Sequence, residues 1–206
     1  MLNQNLVRHV EDNIIPKYNT FDKAHDEIHV RQVINNSLEM AKEYGLDTNI
    51  IYAAAAYHDM GLQVERAKHE EHSRDFMYSD SKLDEFFTSD EKEIIADAIL
   101  THRASCKSEP KTLYGKVIAD ADNDLDPDRI IERMVLYSLD HYPNLERDGH
   151  YERCIEHGHE KYGHQGYLSL YLDSENNRSN LERIREILDD EKEFEEIFER
   201  YYQKHK

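Results

Sequence analysis

Residues 49–59, which read NIIYAAAAYHD, constrain the fold more than any other part of the chain. The run of alanines favours a helix, and apolar side chains cover nearly the whole circumference of that helix. A helix that is apolar on all sides is buried among other elements rather than laid on a surface. We therefore predict the central helix of a helical bundle here, with Thr48 as its cap and Gly61 as its end.

The rest of the chain also favours helices. Seven glycines and four prolines are few helix breakers for 206 residues. Apolar residues recur at helical spacing, and no strand alternation, internal repeat or low-complexity tract interrupts them. Three capping signatures predict helix starts: Thr88 with Glu91, Asp126 with Pro127, and Ser179 with Glu182. These patterns predict an all-α protein.

The domain organisation follows from length and from a shift in composition. A chain of 206 residues is long enough for one large domain with a real core. Composition changes after about residue 125, where a glutamate-rich stretch follows. We expect a single helical domain over residues 1–206, with a core at 20–126 and a C-terminal helical cap at 127–206.

The formal net charge of −18 limits the partners of this protein. Binding to nucleic acids or to anionic membranes depends on Lys and Arg, so we expect neither a nucleic acid polymer nor a membrane as a partner. A small phosphorylated substrate is compatible with the charge, because a bound divalent cation inverts the local potential. A homodimer is also compatible with the sequence.

Cysteine usage and the N-terminal sequence bear on the compartment. Cys106 and Cys154 have no metal-ligand spacing and suit a reducing cytosol. The N-terminal stretch carries acids and lacks the apolar core of a signal peptide. No run approaches the length of about 18 apolar residues that a membrane span needs. We therefore expect a cytoplasmic protein.

His58 and Asp59 stand at the end of the apolar segment, where burial of both side chains is costly unless something compensates. A hydrogen-bonded His–Asp pair is one compensation, and a metal ion is the other. His29 lies beside the apolar stripe of an earlier predicted helix, and Asp122 ends a later one. Nitrogen and carboxylate ligands together suit Mn, Fe, Ni, Co or Zn, with Mg possible. Adjacent residues point about 100° apart on a helix, but an unwound helix end would let both reach one ion.

This order, H…HD…D, resembles the HD superfamily of metal-dependent phosphohydrolases. HDEIHVRQV is similar to the family's H-x-x-x-H-x-x-x-V opening, in which the second histidine is the ligand. AAAAYHDMG is similar to the A-x-L-H-D-I-G block. HEEHS, ILTHR and GKVIADADNDLD resemble later blocks of small bacterial members, so the resemblance covers roughly residues 20–126.

The resemblance implies an HD-domain helical bundle with additional C-terminal helices, and hydrolysis of a phosphorylated substrate, reasonably a nucleotide, by a water that the metal activates. It assigns metal binding to His29, His58, Asp59 and Asp122, although Asp120 is a rival for the fourth position. It assigns catalysis to Asp59, His69 and His102. The histidines His69 and His102 would also face substrate phosphate, and the nearby basic residues Arg66, Arg103 and Lys107 are candidates to bind it.

Two other functions stay open at this point. Some HD-fold proteins hold two irons and oxidise C–H bonds, and His69 and His102 would then complete a set of six ligands. Against this, His69 follows Asp59 more closely than we expect for a ligand of a second metal. The other alternative is a regulatory HD module that binds a nucleotide without hydrolysing it, but such a module has no need to keep an intact ligand set.

Overall fold

The computed structural model describes residues 1–22, 24–105, 108–123, 125–172 and 175–206. Across these ranges the chain forms α-helices and short 3-10 helices, with no strand, which confirms the predicted all-α class. No helix in the described ranges is both long enough and apolar enough to cross a bilayer.

The α-helices, in chain order, are α1 (Gln4–Asn13), α2 (Glu27–Glu43), α3 (Thr48–Tyr57), α4 (His69–Ser79), α5 (Ser89–Leu100), α6 (Leu113–Asp122), α7 (Pro127–His141), α8 (Arg147–Tyr162), α9 (Glu175–Asp189) and α10 (Glu191–His205). The 3-10 helices are Ile15–Thr20, Met60–Gln63, Arg66–Lys68 and Ser81–Glu85.

The chain divides into two compact units, the first comprising Met1–Phe21 with His25–Asn123 and the second Asp22–Ala24 with Asp124–Lys206. In the first unit, α3 packs against α1, α2, α4, α5 and α6. Every residue of α3 from Ile50 to Tyr57 is buried. The predicted central helix is therefore confirmed, and the two residues that follow it, His58 and Asp59, are also buried.

The second unit contains α7, α8, α9 and α10 around its own apolar core. Phe194 and Phe198 of α10 are fully buried in that core. His150 stands among polar residues in the sequence, which favours a surface position, but it is buried in the structure, and its Nδ1 lies 2.7 Å from Ser138 Oγ. A hydroxyl partner lets the imidazole enter the core.

Some of the predicted helix caps are confirmed by the structure, and others are wrong. Thr88 and Glu91 form the predicted capping box of α5, and Asp126 caps α7 by accepting the backbone N–H of Arg129. Asp47 caps α3 in place of Thr48, in keeping with the stronger preference for Asp at this position.

The predicted helix start at Ser179 is also wrong, since Ser179 lies inside α9. The S-x-x-E pattern fits a helix interior as readily as a helix start. The helical run is instead interrupted at Asp190, between α9 and α10. The carboxylate of Asp190 accepts hydrogen bonds from the backbone N–H groups of Lys192 and Glu193 and so caps the start of α10.

Candidate metal centre

The backbone leaves α3 at the His-Asp dipeptide. Tyr57 is the last residue of α3, and His58 keeps helical dihedrals. Asp59 does not, with φ −105° and ψ 5°, and the 3-10 helix Met60–Gln63 follows. Because the helix ends between the two residues, their side chains converge instead of diverging by about 100°, and His58 Nε2 lies 3.2 Å from Asp59 Oδ2.

A first group of potential ligand atoms surrounds Asp59 Oδ2. His29 Nε2, from the first turn of α2, lies 3.6 Å from this oxygen. Asp122, the last residue of α6, places Oδ1 3.2 Å from His29 Nε2 and 3.6 Å from His58 Nε2. Asp120 is buried as well, but these contacts favour Asp122 as the fourth ligand. Three helix ends therefore bring together the four residues that the sequence assigned to metal binding.

A second group of atoms surrounds the other oxygen of the same carboxylate. His69 Nε2 lies 3.2 Å and His102 Nε2 3.6 Å from Asp59 Oδ1. The two Nε2 atoms are 3.1 Å apart. The triad of Asp59, His69 and His102 is entirely buried, as is that of His29, His58 and Asp59. The described part of the chain therefore contains two potential metal-binding triads that share one aspartate.

Three of these histidines share one orienting contact. In each, Nδ1 faces the backbone carbonyl oxygen three residues earlier. Because a carbonyl can only accept, Nδ1 carries a proton, and Nε2 is the nitrogen left to face the centre and bind a metal. The contacts join His58 to Ala55 at 2.7 Å, His69 to Arg66 at 3.0 Å and His102 to Ile99 at 2.5 Å.

Two ring nitrogens at the centre have no hydrogen-bond partner within the described part of the chain. They are His29 Nε2 and His58 Nε2, and both are buried. Buried polar atoms in folded proteins nearly always have a hydrogen-bond partner, so two neighbouring nitrogens without one need an explanation. A cation between them and the carboxylates would satisfy both.

The charges of the site point the same way. Burial by itself lowers the pKa of His58, but Asp59 and Asp122 raise it to about 10. Burial opposes ionisation of Asp59, yet the charge of His58 and the nearby imidazoles of His102 and His29 hold the pKa of that carboxyl well below its usual range. Partial burial opposes ionisation of Asp122, whose side chain is 19% exposed, but His29 and His58 lower its pKa. Two ionised carboxylates therefore lie close together, and a cation beside them would balance their charge.

The donor set fits a divalent transition metal. Ligands about 2.1 Å from one ion, at angles of about 90–110°, lie roughly 3.0–3.4 Å apart, and the four histidine–aspartate pairs of the first group are separated by 3.2–3.6 Å. Mixed imidazole and carboxylate donors suit Mn, Fe, Co, Ni or Zn better than Mg. The residues present can thus hold the metal that the sequence predicts.

Gly61 brings the second triad close to the first. A Cβ at this position would lie 2.0 Å from the carbonyl oxygen of His69 and 2.7 Å from the backbone nitrogen of Ser73. The backbone N–H of Gly61 donates to Ser73 Oγ at 2.8 Å. The sequence predicted Gly61 only as a helix end. Its second role is to let the N-terminus of α4, which carries His69, lie directly on the turn after Asp59.

The three basic residues predicted to bind phosphate differ in their surroundings. Arg103 follows His102 and is 30% exposed; it donates to Glu70 Oε2 at 3.0 Å and to the carbonyl oxygen of Ala67 at 3.3 Å. Arg66 is exposed in the 3-10 helix just before His69. Lys107 lies outside the described residues. No sequence pattern marks Glu70 as the partner of Arg103, because glutamates are abundant throughout the chain.

Comparisons with known proteins bear on the family and on the fold. The HD domain family model matches residues 27–125. A crystal structure from Lactobacillus plantarum, a Northeast Structural Genomics target, is similar over 99% of this chain and 100% of its own, with 20% identity and a TM-score of 0.67. A predicted HD superfamily hydrolase from an uncultured Thermotogales bacterium is similar over 75% of this chain and 90% of its own, with 21% identity and a TM-score of 0.50. No curated protein matches the sequence.

Proposed function

Since residues 27–125 are an HD domain, we propose that the protein is a metal-dependent hydrolase of the HD superfamily that acts on a small phosphorylated substrate, with nucleotides as the leading class. One observation carries the proposal. Two buried imidazole nitrogens that have no hydrogen-bond partner among the described residues, His29 Nε2 and His58 Nε2, face the ionised carboxylates of Asp59 and Asp122. A site of this kind is built to hold a cation.

The residues divide the work of phosphate hydrolysis. His29, His58, Asp59 and Asp122 hold the cation, which when bound supplies a nucleophilic water at neutral pH. Asp59 orients that water through a carboxylate oxygen. The remaining histidines, His69 and His102, stabilise negative charge on the phosphoryl oxygens or protonate the leaving oxygen.

A cationic edge next to the second triad supports phosphate binding there. Arg66 precedes His69 by three residues, and Arg103 follows His102 directly. Arg103 also contacts the carbonyl oxygen of Ala67, which places its guanidinium beside the segment that carries Arg66. A planar guanidinium binds phosphate with two parallel hydrogen bonds, and Glu70 keeps that of Arg103 in place. We assign the phosphate to this side of the site.

The test combines metal analysis with turnover. The full chain, reloaded with Mn²⁺, Zn²⁺ or Fe²⁺, is assayed for phosphate release from p-nitrophenyl phosphate and from a panel of nucleoside mono-, di- and triphosphates. We expect bound metal and metal-dependent turnover in the wild type, and loss of both in Asp59→Asn. A wild type that retains no metal would contradict the proposal. Nucleotide binding without turnover would identify a regulatory module instead.

The shared carboxylate favours a second candidate, a di-iron oxygenase of the HD fold. Asp59 presents one oxygen to each triad, as a carboxylate that bridges two metals does. His102→Ala separates the candidates. If His102 serves phosphate, the variant keeps the metal content of the wild type and turns over roughly 10²–10⁴-fold more slowly. If it binds a second metal, one ion of two is lost. Oxygen consumption by the iron-loaded protein would then decide for the oxygenase.

A further inference from the structure

Tyr18 contacts the candidate centre from outside the HD-matched region. It lies in the 3-10 helix Ile15–Thr20, before the matched residues 27–125, and is fully buried. Its hydroxyl donates to the backbone carbonyl oxygen of Ala56 at 2.9 Å. This hydrogen bond lies two residues before His58, just before the turn that carries both candidate ligands.

The position of these contacts matters because α3 ends here. In a continuing helix the carbonyl of Ala56 would accept the N–H four residues later, but the backbone departs from helical dihedrals at Asp59. Tyr18 supplies a donor to this terminal carbonyl. The turn that makes His58 and Asp59 converge is thus held by a side chain from a different element.

We propose that Tyr18 is a positioning residue for the metal centre. It touches no reacting atom; its hydroxyl fixes the backbone turn that directs both His58 Nε2 and Asp59 Oδ2 to one ion. The inference rests on the proposed metal-dependent function. It extends the functional unit beyond the HD match to the N-terminal segment, which supplies an orienting contact of the kind that tunes metal affinity.

Tyr57 provides a matched control inside the same unit. It is also a buried tyrosine, and its hydroxyl donates to Asp80 Oδ2 at 2.5 Å, beyond the C-terminus of α4. Tyr57→Phe and Tyr18→Phe each remove one buried hydroxyl and one hydrogen bond while keeping the ring. Only Tyr18 bonds to the backbone of the metal-binding turn, so the two variants separate positioning from general stability.

The experiment measures Mn²⁺ and Zn²⁺ affinity of the full chain by competition with a fluorescent chelator, alongside chemical unfolding of the metal-free protein. We expect Tyr18→Phe to bind metal about 10–100-fold more weakly than the wild type. Tyr57→Phe should keep the wild-type affinity although it also loses stability. If Tyr18→Phe proves too unstable to titrate, the series is repeated in sucrose, which favours the folded state without binding the site.

Two results would overturn the inference. Wild-type affinity in Tyr18→Phe would show that the turn holds without the hydroxyl. An equal loss of affinity in both variants would show that the effect is one of stability alone. Failure of the proposed function is distinguishable from either, because the wild type would then bind no metal, or Asp59→Asn would bind as tightly as the wild type.

Discussion

The two units of the molecule each bury histidine, and the surroundings of those rings differ. In the second unit, His150 Nδ1 meets Ser138 Oγ at 2.7 Å, and burial lowers its pKa. In the first unit, His58 is equally buried, but its Nε2 has no hydrogen-bond partner within the described residues and faces two carboxylates that raise its pKa. A buried histidine indicates a metal site when an unpaired nitrogen faces other ligand atoms, and a structural role when each contact is local and satisfied.

The largest expected effect tests this distinction directly. His58→Ala removes a ligand, so metal affinity should fall by more than the roughly 100-fold that loss of an outer-shell partner costs, and turnover should disappear. His150→Ala is the control. It leaves Ser138 unsatisfied and should cost about 1–3 kcal/mol of folding free energy while metal content and turnover stay at wild-type levels. Elemental analysis, activity and urea unfolding of both variants give the answer. If His58→Ala keeps the metal content of the wild type, His58 is not a metal ligand and does not differ from His150 in this respect.

A second pair of variants compares glycines in the two units. In the first, Gly61→Ala puts a Cβ 2.0 Å from the carbonyl oxygen of His69. Backbone must move to accommodate it, so we expect a loss of about 1–3 kcal/mol or more together with weaker metal binding.

The matched change in the second unit is Gly149→Ala, within α8. The three heavy atoms nearest its Cβ would all belong to the side chain of Leu145, the closest at 3.2 Å, and Leu145 is exposed enough to move aside. Alanine is favoured over glycine inside a helix by up to about 1 kcal/mol, so this variant should be neutral or more stable. Thermal unfolding and metal titration of both variants test the pair. Equal stability in the two would mean that the close approach of α4 to the turn is not required.

The sequence predicted the all-α class because helix breakers are few and the segment around Ala53 is apolar on all sides. It also selected His58 and Asp59, because costly polar groups at the end of such a segment need compensation. It did not identify Tyr18 or Ser73, whose contacts join residues 38 and 12 positions apart. Contacts of that kind depend on how elements pack, and neither residue carries a local pattern that distinguishes it from any other core tyrosine or serine.

The smallest expected effect is a pH dependence that differs between the two histidines. The pKa of His58 is raised to about 10, so metal-free protein carries that proton at neutral pH and metal binding must release it. Metal affinity should therefore rise about tenfold per pH unit between pH 7 and pH 9, where Asp59 and Asp122 are already ionised. Calorimetric titration in buffers of different ionisation enthalpy counts the proton. A flat profile would show that no proton leaves His58.

The pKa of His150 is shifted in the opposite direction, and its titration should affect stability rather than metal binding. Its pKa is lowered in the folded state, so its contribution to stability is present at neutral pH and is lost as the pH falls through the unfolded value of about 6.5. Urea unfolding of wild type and His150→Ala from pH 7.5 to pH 5 isolates this contribution. A constant difference between the two proteins across that range would contradict the assignment.

The backbone carbonyls that orient His58, His69 and His102 make the protonation pattern of the centre robust to mutation. Those acceptors belong to Ala55, Arg66 and Ile99, and a substitution at any of these positions changes the side chain while leaving the carbonyl oxygen in place. A centre oriented by side-chain carboxylates would need each orienting residue to be kept. Here a helical turn suffices, so the neighbouring sequence is free to drift, and substrate preference can evolve without disturbing how the imidazoles present their lone pairs.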